Sequence, residues 1–246
     1  ETDPHFIEAE DEQEEVARTF ERYNLIAAPV VDDKRHLVGV ITIDDVVDVV
    51  KEVAEEDYRA LAGVGDEEVS DSVLYVARSR FSWLFINLLT AILASVVIGV
   101  FEASLTQMVA LAVLMPIVAS QGGNAGTQTM AVAVRGLATQ ELTTANMGRI
   151  ILREVWVGLI NGLAFAVIMG LVAGLWFQDW NLGLVIGLAI VATLVAAAMG
   201  GVLIPLALDR LGYDPAVASG PFVTTVTDIV GFFSFLGVAT LWFGLK

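Results

Sequence analysis

Five long apolar stretches follow one another from Phe81 to the end of the chain, and they limit its fold more than any other feature. A helix needs about 20 residues to cross the roughly 30 Å hydrocarbon core of a bilayer, and every stretch has that length. Their apolar residues run continuously instead of alternating, which favours helices over the strands of a barrel. We therefore predict five transmembrane helices, within residues 82–101, 108–134, 150–177, 182–208 and 217–245.

The charged residues divide the chain into two parts. Residues 1–80 contain 22 Asp and Glu against eight Lys and Arg, whereas residues 81–246 contain seven and five. This pattern predicts an acidic, water-exposed segment before a membrane domain at 81–246. We interpret residues 51–80 as an acidic connecting (plug) helix and linker. An acidic chain lacks the basic surface that nucleic acids require, so we expect divalent cations as partners and no nucleic acid.

Basic residues predict the orientation of the spans. With a cytoplasmic N-terminus, six of the seven that flank the spans lie at cytoplasmic ends, in accord with the positive-inside rule. These six are Arg78, Arg80, Arg135, Arg149, Arg153 and Arg210, and Lys246 is the exception. We expect a multi-pass protein of the cell's inner (plasma) membrane, in contact with the lipid bilayer, with its C-terminus outside.

Residues 1–50 have the pattern of a small α/β module. Two β-branched runs, at 29–31 and 37–42, flank a polar turn and predict a hairpin. A helix follows from Ile43 to about Leu61, with Thr42 as its N-cap. A unit of this size buries little core by itself, so we expect it to need a partner copy.

The sequence contains none of the common catalytic motifs. It has no cysteine, and both of its histidines lie in the acidic part. HExxH, GxSxG and GxxxxGK[ST] are all absent from it. The apolar part supplies no pair of nucleophile and base, so we predict that the protein is not an enzyme.

Asp228 is the most informative residue of the membrane domain because it lies in the middle of the fifth stretch. A carboxylate at that depth is costly unless it is compensated, and it marks an ion path by default. A structural Asp bonded to a neighbouring helix is the alternative. Thr224 and Gly231 share its helix face, so a hydroxyl, a carboxylate and a gap for backbone approach form an oxygen-rich wall. Such a wall suits a hydrated divalent cation.

The second stretch also carries polar side chains. Asn124, Thr127 and Gln128 have the spacing of one helix face, shortly after Pro116. Polar groups on one face of a membrane helix either bond to another helix or line a water path. We predict that this face lines a pore, and tight helix packing is compatible with that role.

Acidic residues crowd the predicted connecting helix, with only Lys51 among them. A solvated helix face is the simpler interpretation. Bound divalent cations are the other, because they would relieve the repulsion between like charges. The residues are Asp44, Asp45, Asp48, Glu52, Glu55, Glu56 and Asp57.

Two parts of the sequence resemble known families. Residues 5–50, with the run LVGVITIDDVVDVV, are similar to one CBS module, and such modules usually work in pairs. The motifs PIVASQGGNAGTQTMAVAVRGLA at 116–138 and DPAVASGPFVTTVTDIVGFF at 214–233 closely resemble the MgtE family of magnesium channels. Because the chain begins at Glu1, we expect the family's acidic N-terminal domain and first CBS module to lie upstream.

The MgtE resemblance implies a homodimer with five membrane helices per subunit and Mg²⁺ as the transported ion. It implies a pore at the dimer axis, lined by the second and fifth helices. Asp228 corresponds to the pore carboxylate, and Thr224 to the residue one turn before it.

The same resemblance implies that cytosolic Mg²⁺, bound between the soluble parts, holds the channel closed. The matching positions are Asp45, Asp48, Glu56 and Asp57, while Val53 stands where the family often has an acidic residue. ATP or another adenine nucleotide is the candidate ligand of the CBS modules.

Two other functions remain open. One is transport of a different divalent cation, such as Co²⁺, Ni²⁺ or Zn²⁺, although softer metals favour His, Cys or Met ligands, which are absent near Asp228. The other is a membrane-anchored nucleotide or metal sensor that transports nothing. Ion flux through the purified protein distinguishes the three.

Overall fold

A computed structural model describes residues 5–143 and 145–245, apart from the side chain of Asp57. It confirms the predicted fold class, a helical membrane protein preceded by a small α/β module and a connecting helix. The chain divides after Ala62 into two compact units.

The first unit contains a three-stranded sheet and two helices. The elements are β1 (Ile7–Glu8), α1 (Gln13–Tyr23), β2 (Ala27–Val31), β3 (Leu37–Thr42) and α2 (Ile43–Leu61). Strand β2 is central, with β1 parallel on one side and β3 antiparallel on the other. The helices cover the sheet through a small apolar core of Ile7, Val16, Phe20, Ala28 and Val46.

The predicted hairpin and the predicted end of α2 at Leu61 are both confirmed. Helix α2 runs without a break through residues 50 and 51, where we placed the division between module and connector. Strand β1 was not predicted, because two residues are too few to show an alternating pattern. It joins the sheet by pairing Ile7 with Val30.

The second unit is helical. It comprises α3 (Val73–Val100), α4 (Glu102–Gln107), α5 (Val109–Ala138), α6 (Met147–Phe177), α7 (Trp180–Arg210) and α8 (Pro215–Phe243). All except α4 have 28 to 31 residues and the apolar composition of membrane spans. At 1.5 Å per residue they are about 42–47 Å long, enough to cross a bilayer. The five predicted spans are thus confirmed as helices of sufficient length and hydropathy.

Helix α7 forms the centre of this unit, and its buried residues far outnumber those of any other span. It packs against α5, α6 and α8, whereas α3 packs mainly against α8. Small residues bring the helices together: a Cβ on Gly158 of α6 would lie 2.8 Å from the carbonyl oxygen of Leu194 on α7. Such close approach is how membrane helices associate when the surroundings are as apolar as their side chains.

Candidate ion pathway

Asp228 lies in the middle of α8, half-buried, with Thr224 exposed one turn before it. Among the described residues, none donates a hydrogen bond to the Asp228 carboxylate and none forms an ion pair with it. A bare carboxylate at this depth of a membrane helix needs a compensating charge. The geometry therefore agrees with a cation site better than with a structural Asp bonded to another helix.

Helix α5 presents a continuous polar face. The three predicted residues Asn124, Thr127 and Gln128 are all exposed, and so is Ser120 one turn before Asn124. The Asn124 amide donates to the Ser120 hydroxyl at 3.5 Å, and the Thr127 hydroxyl donates to the Gly123 carbonyl at 2.9 Å. Exposed hydroxyl and amide groups in a membrane span are unfavourable against lipid, so this face fits a water-filled path or another subunit. We call these four residues the polar face of α5.

Helices α5 and α8 pack side by side in opposite directions, and their glycines reveal the register. A Cβ on Gly126 would lie 2.8 Å from Val223, and one on Gly122 would lie 3.4 Å from the Cβ of Thr227. Extending this antiparallel register along the helices places Ser120 near the depth of Asp228, and Asn124 near that of Thr224. The polar groups of the two helices therefore occupy the same section of the membrane.

Gly231 of α8 packs against two neighbouring helices. It is buried, and a Cβ there would meet Thr193 of α7 at 3.4 Å and Val118 of α5 at 3.5 Å. The close approach predicted at this glycine is therefore made by neighbouring helices. A contribution of Gly231 to ion binding stays a prediction.

The acidic residues of α2 lie on a helix surface that is open to solvent. Asp48 and Glu56 are exposed, and the Asp57 side chain lies outside the described part of the structure. Asp45 accepts hydrogen bonds from the Thr42 backbone N–H at 3.0 Å and from its hydroxyl at 2.9 Å. These two bonds, the backbone one foremost, hold the pKa of Asp45 below its usual range.

Asp45 thus closes the first turn of α2 from the third helical position, in the manner of a capping box with Thr42. Within the described residues, no three His, Asp or Glu side chains come together closely enough to hold a metal ion. A regulatory ion at Asp45, Asp48, Glu56 and Asp57 therefore stays a prediction that requires ligands from elsewhere.

One ion pair joins the segment before α3 to the first part of that helix. The Arg80 Nε–H donates to one oxygen of Glu67 at 2.8 Å, and a terminal Arg80 nitrogen lies 2.8 Å from the same oxygen. The Glu67 side chain is only 4% exposed. The Arg80 bond holds the pKa of Glu67 below its usual range, against the opposing effect of burial. This pair ties the segment before α3 to the second turn of that helix. Its members are 13 positions apart in the sequence. This is not the i,i+3 or i,i+4 spacing of neighbours on a helix, so the sequence alone does not indicate the pair.

Sequence reasoning missed Ser120 and Thr193. Ser120 lies four residues before Asn124, so a search for polar residues at helical spacing could have found it. Thr193 is a single hydroxyl in a long apolar stretch, and only the packing of α5, α7 and α8 shows what it touches.

The fold defines a polytopic helical membrane protein whose spans α5 and α8 carry oxygen-bearing side chains at similar depths. Comparison with known proteins agrees. Residues 115–238, which include both α5 and α8 motifs, match the MgtE family of divalent cation transporters, and residues 1–52 match the CBS domain. The chain belongs to the MgtE family, as the resemblance of its motifs implied.

Three relatives carry the name magnesium transporter MgtE. The protein from Enterococcus faecalis is 40% identical over 94% of this chain, and that from Bacillus subtilis is 40% identical over 95%. The protein from Thermus thermophilus is 36% identical over 96%. The chain spans about half the length of each, namely 51%, 52% and 53%. These names describe transport and not catalysis, in agreement with the predicted class.

Proposed function

We propose that this chain forms a Mg²⁺-selective pathway that imports magnesium across the cytoplasmic membrane. The observation that carries the proposal is Asp228, a mid-membrane carboxylate without a partner among the described residues, on a helix that packs against α5. Oxygen ligands suit Mg²⁺, which sheds its waters reluctantly and is bound through few carboxylates. The name shared by the three relatives supports Mg²⁺ as the cargo.

We propose further that two chains form the pathway at their shared axis. The polar face of α5 is exposed in the single chain, so a second copy facing it would enclose the polar groups and bring two Asp228 carboxylates to one ion. The transmembrane potential then drives entry, with about 2.3 kcal/mol per charge per 100 mV. The proposed orientation has the N-terminus in the cytoplasm and the C-terminus outside, from the positions of the arginines.

Regulation is the third part of the proposal. Cytosolic Mg²⁺ would bind the acidic surface of α2, through Asp45, Asp48, Glu56 and Asp57, and favour a closed state. A ligand shifts such an equilibrium only by its different affinity for the two states. Acidic segments that repel each other without Mg²⁺ provide such a difference. ATP or another adenine nucleotide is the proposed ligand of the CBS module.

The test is Mg²⁺ influx into liposomes that contain the purified chain, followed with a Mg²⁺-sensitive dye. Asp228→Asn should abolish most of the influx, whereas Asp209→Asn, a matched change at an exposed position at the end of α7, should not. Influx of Co²⁺, Ni²⁺ or Zn²⁺ in preference to Mg²⁺ would favour a different cargo. A folded dimer without flux that binds nucleotide would favour the sensor.

A further inference from the structure

Thr193 of α7 lies where α5 and α8 meet their common neighbour. Its side chain is 1% exposed, so it reaches neither lipid nor water. Its hydroxyl donates to the Ala189 carbonyl at 2.7 Å, one turn earlier in the same helix. The hydroxyl is therefore satisfied inside α7, and it lies 3.6 Å from a Cβ built on Gly231 of α8. The methyl group makes the closer contacts of Thr193 with the other helices.

That methyl group fills the space left by two glycines. A Cβ on Gly122 of α5 would lie 2.6 Å from the Thr193 Cγ2 atom, and a Cβ on Gly231 of α8 would lie 3.4 Å from the same atom. Thr227 of α8 is fully buried, and its Cβ would lie 3.4 Å from the same Cβ on Gly122. The contact region therefore contains residues of α5, α7 and α8. One methyl group thus sits against both helices that carry the candidate ion site.

The polar face of α5 points directly away from this junction. At about 100° per residue, Asn124 lies about 200° around the helix from Gly122, and Ser120 lies about 200° in the other direction. Because a packed helix moves as a body, a displacement of α5 at Gly122 shifts the whole polar face relative to Asp228. Asp228 is itself the residue after Thr227.

We propose that Thr193 is a positioning residue for the ion pathway: its methyl group sets the separation of α5 and α8, and thereby which cations pass. The proposal rests on the proposed transport function. It assigns a role in selectivity to α7 through a residue that is 1% exposed.

The test uses complementary changes at the two contacting positions. Gly122→Ala places a methyl group on α5 only 2.6 Å from Thr193 Cγ2 of α7. Helix α5 must therefore move about 1 Å away from Thr193 to restore an ordinary contact. Thr193→Ser removes that methyl group and keeps the hydroxyl, which makes room for the new Cβ in the double variant. Thr193→Val keeps that methyl group and replaces the hydroxyl with a second methyl group. Gly237→Ala is the matched control on α8, since its Cβ would meet only Phe101 at 3.8 Å.

The readout is the ratio of Mg²⁺ to Ca²⁺ influx into liposomes, because Ca²⁺ has longer metal–oxygen distances than Mg²⁺. Gly122→Ala should lower Mg²⁺ influx about tenfold or more and shift the ratio at least about threefold, since a displacement near 1 Å is felt strongly at a binding site. Thr193→Ser should shift the ratio in the opposite direction. The double variant should return to within about twofold of wild type, as coupled contacts do in a mutant cycle.

Thr193→Val and Gly237→Ala should leave the ratio within about twofold of wild type, because each preserves the contact. A merely structural role would lower the amount of folded protein and leave the ratio unchanged, and that result would overturn the proposal. A double variant whose ratio does not return towards wild type would also overturn the proposal. If Gly122→Ala does not fold, an unchanged ratio in folded Thr193→Ser would overturn it. A wild-type chain without Mg²⁺ influx would overturn the proposed function as well. A wild-type chain with influx, in which the Gly122 and Thr193 changes act independently on the ratio, would overturn only the role of Thr193.

Discussion

Replacing Asp228 by Asn removes one negative charge from the middle of α8 and changes little else in shape. A hydrated Mg²⁺ lies about 5 Å from the carboxylate, from a metal–oxygen distance of about 2.1 Å and a charge-assisted hydrogen bond of about 2.7 Å. With the dielectric constant of water, the attraction of a divalent ion to one carboxylate at that distance is about 1.7 kcal/mol. At the effective value of about 20 found near protein surfaces it is about 6.6 kcal/mol.

Because Asp228 is half-buried, the attraction per carboxylate lies between these two limits, and the loss of both carboxylates in the proposed dimer adds to the effect. The smaller figure sets the minimum effect, since about 1.36 kcal/mol corresponds to a factor of ten. We therefore expect Asp228→Asn to reduce Mg²⁺ influx at least about 17-fold when external Mg²⁺ is far from saturating. Asp228→Glu keeps the charge on a longer side chain, so we expect it to recover part of the loss.

The assay measures initial influx into liposomes over a series of external Mg²⁺ concentrations at fixed membrane potential. Asp209→Asn serves as the control for removing an exposed carboxylate, and the fraction of monodisperse protein is measured for each variant. A folded Asp228→Asn protein that keeps more than about a tenth of wild-type influx would refute the reasoning, because even full water screening predicts a larger loss.

Three further outcomes follow from the structure. Neutralising all four acidic positions of α2 assigned to regulation should weaken the inhibition of influx by internal Mg²⁺, and unchanged inhibition would count against that sensor. The lowered pKa of Asp45 means that its cap is intact at neutral pH and is lost as pH falls through that pKa, below the ordinary Asp range. Amide exchange of the first turn of α2 should therefore rise only in acid, and Asp45→Asn should show faster exchange already at neutral pH. Arg80→Gln should leave the Glu67 carboxylate without its Arg80 donor, so exchange should increase in residues 63–72, and Glu67→Gln in the same chain should partly reverse the increase.

The spans could be predicted from the sequence because continuous apolarity over about 20 residues is typical of transmembrane helices and of few other structures. The hairpin and the Thr42 start of α2 could be predicted as well, since turn and cap residues act locally. Asp228, Asn124, Thr127 and Gln128 stood out because polar groups are costly in such stretches.

What the sequence did not reveal depends on which neighbour a helix face meets. A glycine in an apolar stretch can face lipid or another helix, and hydropathy is the same in both cases. The sequence therefore predicted a close approach at Gly231 without showing that Thr193 and Val118 make it. The short helix α4 was also missed, because six residues within a loop have no periodicity to detect.

The contrast between α5 and α7 has a consequence for how the membrane domain is built. Helix α5 has the lowest mean hydropathy of the five spans, 1.3, and α7 the highest, 2.6. Insertion of a span into the bilayer becomes less favourable as polar side chains accumulate, so α5 is the least able to enter alone. It is synthesised two spans before α7 and three before α8, the helices that bury its glycine side. We therefore expect α5 to stay near the insertion machinery until α7 has been synthesised. The polar side chains that would allow α5 to line an ion pathway thus make its insertion into the bilayer depend on a later helix.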